Sequence, residues 1–224
     1  MREFELQVVE VAALGGSIRV ECEGPDPGAA AGQMCLAWVD SPLQGQPFLR
    51  VPLFLLPLRN KRPVFYVPGS HQYARLAPGD RLDLIGPAGH GFRLPASGGH
   101  LLVIASSLER LAPAVEAALR RGLAVTVLTP RSAELLPADV EIHRGPLNAE
   151  LALWADVVAL DVVDPAARAA RLRALAPDRG ENYVQALHQP PLPCGVGACQ
   201  ACWVQLAHAN TRKLACVDGP VFSY

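Results

Sequence analysis

The sequence predicts three parts in order: an N-terminal antiparallel β-barrel, a central α/β unit built on a parallel sheet, and a small C-terminal unit organised by cysteines. Short runs of alternating apolar and polar residues, cut by Pro and Gly, fill the first third of the chain. Continuous apolar runs then alternate with helical spacing, and four of the six cysteines lie from Cys194 onward. At 224 residues the chain is long enough for more than one core.

In the first part, Phe4, Leu6 and Val8 alternate with Glu5 and Gln7, and Ile18, Val20 and Cys22 alternate with Arg19 and Glu21, the period of half-buried strands. Further strands are expected at Met34 to Val39, Val51 to Leu56, Val64 to Val67 and Arg81 to Ile85, with breaks such as Pro25 to Gly28 and Pro78-Gly79-Asp80 between them. After Ser97-Gly98-Gly99 the pattern changes. Leu101 to Ala105 reads as a buried strand, and Leu111, Ala112, Val115, Ala118 and Leu119 follow helical spacing up to Gly122, a residue suited to a C-terminal cap. Strands at Leu123 to Leu128, Val140 to His143 and Val157 to Leu160, then a helix from about Pro165 to Leu175, complete the βαβ pattern. The expected boundaries are 1–96, 97–180 and 181–224.

Composition narrows the function. Twenty basic residues against 21 acidic ones give a net charge of -1, so no basic stripe exists to displace phosphate counterions and nucleic acid is not an expected partner. No apolar run approaches the roughly 20 residues of a bilayer crossing, so no membrane span is expected. Acids at Glu3 and Glu5 stand where a signal peptide would be basic, which predicts a cytoplasmic protein. Neither a phosphate loop nor a hydrolytic triad order occurs.

From Asn182 to Thr211 there is no charged residue, yet the stretch is rich in Pro, Gln, Gly and Cys, so something besides a side-chain core must organise it. Cys194, Cys199, Cys202 and Cys216 form C-x4-C-x2-C-x13-C, the plant-type ferredoxin spacing for a 2Fe-2S cluster. Gly195 and Gly197 can take positive φ and turn backbone N–H groups toward the sulfurs of an anionic cluster, and the absence of nearby acids suits it. A structural zinc site is the rival, but zinc ribbons favour two C-x2-C knuckles and only Cys199 and Cys202 make one. Cys22 and Cys35, on apolar strand faces, read as small buried hydrophobes, and Trp203 and the histidines at 143, 188 and 208 as packing or surface residues.

With Cys194-Gly-Val-Gly-Ala-Cys-Gln-Ala-Cys-Trp-Val204 and Ala215-Cys-Val-Asp-Gly-Pro-Val-Phe222, the chain resembles the electron-transfer subunits of the type B dihydroorotate dehydrogenases. Those subunits belong to the ferredoxin reductase superfamily, and the resemblance implies a flavin-binding barrel, a Rossmann-like nucleotide-binding unit and a 2Fe-2S domain. It also implies a catalytic flavoprotein partner that oxidises dihydroorotate in pyrimidine synthesis, in a hetero-oligomer that in relatives is a heterotetramer of two of each chain. Ala31-Gly-Gln-Met34 and Gly86-Pro-Ala-Gly-His-Gly-Phe92 resemble barrel segments of the family. Arg62-Pro63 matches its Arg-Pro-x-Ser, whose Arg approaches the FAD pyrophosphate, and Gly69-Ser70 matches a Gly-Thr that contacts the phosphates. Arg62, Pro63, Gly69 and Ser70 are therefore the candidate FAD residues, with Phe65 standing where the family has a Ser against the flavin. A solvated Arg62 within a basic turn is the plainer alternative.

Two departures fall in the α/β unit. Relatives carry a glycine-rich turn after its first strand, where this chain has Ala105-Ser-Ser-Leu-Glu-Arg110, and a Cys-Gly-Pro near the nicotinamide, where it has Leu160-Asp-Val162. Both argue against NAD(P)H binding, because side chains and an acid stand where dinucleotide phosphates need open backbone. The expected function is an oxidoreductase subunit that relays electrons between a flavin, the cluster and a carrier other than NAD. The alternatives are a subunit of another oxidoreductase, of sulfite reductase or hydrogenase type, and a non-enzymatic redox-sensing or binding module.

Overall fold

The computed structural model describes residues 1–40, 50–59, 62–206 and 211–224. Seven strands form the first sheet: β1 (Arg2–Leu14), β2 (Ser17–Glu23), β3 (Met34–Asp40), β4 (Val51–Leu53), β5 (Leu55–Arg59), β6 (Arg62–Pro68) and β7 (Arg81–Ala88), in the order β4-β3-β7-β1-β2-β6-β5. All pairs are antiparallel. The β1 and β2 strands meet in a two-residue hairpin, where Leu14 pairs with Ser17 and both Gly15 and Gly16 take positive φ.

The expected single strand from Val51 to Leu56 is instead two. The chain breaks at Phe54, and its two halves pair at opposite edges of the sheet, so that this residue is the joint of a nearly closed barrel. Phe54 turns its ring out of the barrel interior into the core shared with the second sheet. Inside the barrel, Phe4, Leu6, Val20, Cys22, Cys35, Phe65, Leu82 and Leu84 pack together. Tyr73, in a short 3-10 turn, is buried there and donates its hydroxyl to the Ala37 carbonyl at 2.8 Å.

The second sheet contains β8 (His100–Ala105), β9 (Ala124–Leu128), β10 (Glu141–His143), β11 (Val157–Asp161), β12 (Val184–Leu187) and, from the chain's end, β15 (Val221–Ser223). Between the last two in sequence lies a separate hairpin of β13 (Trp203–Leu206) and β14 (Thr211–Leu214). The sheet order is β10-β9-β8-β11-β12-β15, parallel except for the β12–β15 pair. Helix α1 (Ala112–Arg120) packs toward the barrel, and Gly122 at φ +73° follows its end. On the other face lie α2 (Ala149–Trp154), capped by the Asn148 side chain, and α3 (Pro165–Leu175), capped by Asp164.

A second apolar core runs from the outer face of the barrel through the second sheet to the cysteine segment. It joins Met34, Leu36, Phe54 and Phe92 to Leu101, Val103 and Ala114, and these to Leu192, Cys202, Cys216 and Phe222. Its tightest point is the Gly86–Phe92 turn, where the His90 N–H donates to the Gly219 carbonyl and the Phe92 N–H donates to that of Ala31. A Cβ on Gly89 would run into the Gly219 oxygen, and one on Gly91 into the Ala31 oxygen. Substituting Gly89→Ala therefore strains a φ of +73° and forces the two turns apart. The expected cost is about 2 kcal/mol or more. Leu102→Ala, at a fully buried position, should cost roughly 2–5 kcal/mol. Urea unfolding of both variants measures this.

Candidate cluster site and flavin cleft

The cysteine segment leaves β12, loops through Cys194 and Cys199, and enters the β13–β14 hairpin at Cys202. The Ala215 N–H bonds the Cys202 carbonyl, and a turn holds Cys216 just beyond the hairpin. That turn is built by Asp218, whose carboxylate accepts the Leu214 N–H at 2.8 Å while the Asp218 N–H returns to the Leu214 carbonyl at 2.7 Å.

The four thiols gather two by two. Cys202 Sγ lies 3.3 Å from Cys216 Sγ, both buried, and Cys216 Sγ accepts the Gly197 N–H at 3.2 Å. Cys194 hydrogen-bonds Cys199, itself an exposed residue. The backbone N–H of Cys199, then that of Val196 and the Cys199 thiol, hold the Cys194 thiol well below its usual range. Burial, followed by the hydrogen bond with Cys202, pushes Cys216 up. Among the described residues no three His, Cys, Asp or Glu side chains converge as on a single metal ion. Paired thiols with inward N–H groups suit two bridged irons, each with two thiolates, better than one tetrahedral zinc.

Both glycines of the loop are needed. Gly195 and Gly197 have φ of +69° and +77°; a Cβ on the first would strike Leu36 of the barrel, and on the second would crowd Val217. The loop is thus seated on β3 as well as on its own hairpin. Val196, Trp203 and Val217 are exposed apolar residues of this segment, an unusual concentration beside an exposed cysteine. Cys22 and Cys35 are fully buried inside the barrel, where burial pushes both thiols up to about 12.

The candidate flavin residues separate. Gly69 and Ser70 line a cleft of about 460 Å³ with Gly15, Gly16, Ser17, Leu108, Glu109 and Arg131. Its glycine backbone and Arg131 offer room and a cation for a pyrophosphate. Arg62, at the other end of β6, is not among the lining residues; it pairs with Glu21 at 3.0 Å and Glu23 at 3.3 Å. Pro63 beside it is buried in the strand. The ring of Phe65 points into the barrel core, fully buried against the strands, so it does not stand on a ligand-facing surface. Sequence reasoning missed Arg131 because nothing nearby marks it.

A family model described as the iron-sulfur cluster binding domain of dihydroorotate dehydrogenase B matches residues 191–224. Over 204 residues, 79% of each chain, the protein is 29% identical to the dihydroorotate dehydrogenase B (NAD(+)) electron transfer subunit of Geobacillus thermodenitrificans. It is 24% identical over 180 residues to that of Desulforamulus reducens, covering 69% of this chain and 68% of the relative. An NADH-dependent reduced ferredoxin-NADP oxidoreductase superposes with a TM-score of 0.66 at 16% identity, covering 97% of this chain and 87% of that one. Phthalate dioxygenase reductase gives 0.58 at 14% identity, over 94% and 75% of the two chains. Residues 191–224 thus match the iron-sulfur cluster binding domain of dihydroorotate dehydrogenase B, and the chain, on a ferredoxin reductase-like fold, is similar to the electron transfer subunits of that enzyme.

Proposed function

We propose that the chain is an electron-transfer subunit, with a 2Fe-2S cluster on Cys194, Cys199, Cys202 and Cys216 and FAD against the barrel. The observation that carries this reading is the pairing of the thiols, Cys202 with Cys216 beside the hairpin and Cys194 with Cys199 on a loop seated directly on the barrel. When bound, the cluster supplies one-electron transfer and the flavin exchange between electron pairs and single electrons. The chain's own residues do the rest. Gly195 and Gly197 keep the loop close enough for backbone N–H groups to face the sulfurs, and Leu36, Leu192 and Phe222 keep water from the inner pair. Gly69, Ser70 and Arg131 are the residues that would hold the flavin's phosphates.

The partner is a catalytic flavoprotein that oxidises dihydroorotate, in a hetero-oligomer, as the similarity to electron transfer subunits of dihydroorotate dehydrogenase B suggests. Exposed Cys199, with Val196, Trp203 and Val217 nearby, is the edge at which electrons would pass between chains. Such a chain belongs in a reducing compartment, the cytoplasm, where thiolates stay free for iron. Among the described residues no helix is long and apolar enough to cross a membrane.

Purified without oxygen, the Cys199→Ser variant should lose the visible absorption of the cluster and most of its iron. Cys22→Ser should keep both. Loss of colour in Cys22→Ser, or full iron retention in Cys199→Ser, would contradict the assignment.

A further inference from the structure

The second sheet has a switch point. From β8 the chain proceeds to β9 and β10 on one side, and from β11 to β12 on the other, with α1 and α3 on opposite faces. An open parallel sheet of this kind binds its ligand in the crevice beyond the carboxyl ends of the two strands that flank the switch. Here the crevice walls are the segment after β8, Ser106 to Leu111, and the end of β11 at Asp161 with the residues that follow it to Asp164.

The walls are tied together. Arg110 Nε donates to Asp161 Oδ2 at 2.7 Å and Arg110 Nη2 to Asp161 Oδ1 at 2.7 Å, a two-pronged pair between residues 51 positions apart. The third prong, Nη1, donates to Gln189 Oε1 at 2.6 Å, and the Ser106 N–H donates to the Asp161 carbonyl. Asp161 is 6% exposed, so its carboxylate faces the guanidinium rather than water. A planar fork meeting a carboxylate in this way is held in one orientation.

The first wall is also fixed from behind. Ser17 on the barrel and Ser107 donate their hydroxyls to the two oxygens of Glu109, while Leu108 and Leu111 are buried in the shared core. Burial pushes the Glu109 carboxyl up, but these hydroxyl bonds outweigh it and hold the group below the usual carboxylate range. Glu109 thus ties the first wall to the barrel, on the side of the cleft that holds Gly69 and Ser70. The two clefts that flank the pair, one lined by Arg144, Arg168 and Arg171 and the other by Arg110, Asp161 and His188, both border Val162.

We infer that the Arg110–Asp161 pair is a latch across the switch-point crevice that excludes pyridine dinucleotides from this chain. Neither partner belongs to the proposed cluster or flavin sites. The inference deepens the proposed function, resting on its reading of the chain as a relay, by removing NAD(H) as the relay's outer carrier despite its place in the relatives' names.

The test is NADH and NADPH binding to the anaerobically purified protein, read by calorimetry and by quenching of tryptophan emission. Wild type should show no saturable binding up to about 1 mM, the upper end of ordinary enzyme affinities. Removing one partner strands a buried charge, so the opening variant is the double R110A/D161A, which should bind NADH at least about tenfold more tightly than wild type. The exchanged pair R110D/D161R, which rebuilds the contact, should stay closed. Micromolar binding by wild type would overturn the inference, as would a folded R110A/D161A that binds no better, or an R110D/D161R that binds as the double alanine does. Iron content and dithionite bleaching of the same samples report on the cluster alone, so a failure of the relay reading would show separately.

Discussion

The structure depends on one shared apolar core, and that core closes where two glycine turns meet backbone to backbone. At Gly89 and Gly219 neither chain segment has room for a side chain, and the hydrogen bond from His90 to the Gly219 carbonyl fixes their register. One turn ends the barrel and the other carries Cys216. The cysteine segment, nearly devoid of charge and too short to build a core of its own, borrows one from Met34, Leu36 and Phe92. Its cysteines are consequently held at a fixed place against the barrel, and a redox centre gains from that rigidity because transfer depends on distance and burial.

Much of this was legible in the sequence because the signals are local. Alternation placed β1 and β2, and the Ala- and Arg-rich run from about Pro165 placed α3 at its observed bounds. Cysteine spacing alone marked the four residues that the structure sets out as two pairs. What stayed hidden depends on distant partners. The run Val51 to Leu56 gives no hint that it breaks at Phe54, since the break exists only because the two halves pair with β3 and β6 at opposite edges. The strand at Val184–Leu187 lies in a stretch marked only by its lack of charge, and its place is set by β11 on one side and β15 on the other.

The flavin residues show the same limit more sharply. Arg62 looked like a phosphate partner by its motif, yet its neighbours across the sheet, Glu21 and Glu23, already engage it. Phe65 looked like a loss at a ligand face, yet strand parity turns it inward. Conversely, Ala105–Arg110 and Leu160–Val162 stood out separately as departures, and only the fold shows that the residues which replaced the open backbone bond to each other. On the proposed reading, a chain that sets its own ion pair across this crevice while keeping the cysteine loop would relay electrons without NAD(H) as its carrier.

The most direct test of the central claim is an electron paramagnetic resonance spectrum of the dithionite-reduced protein, with metal analysis of the same sample. The account predicts about two irons per chain and the signal of a reduced 2Fe-2S cluster. A chain that holds one zinc and gives no signal would contradict it.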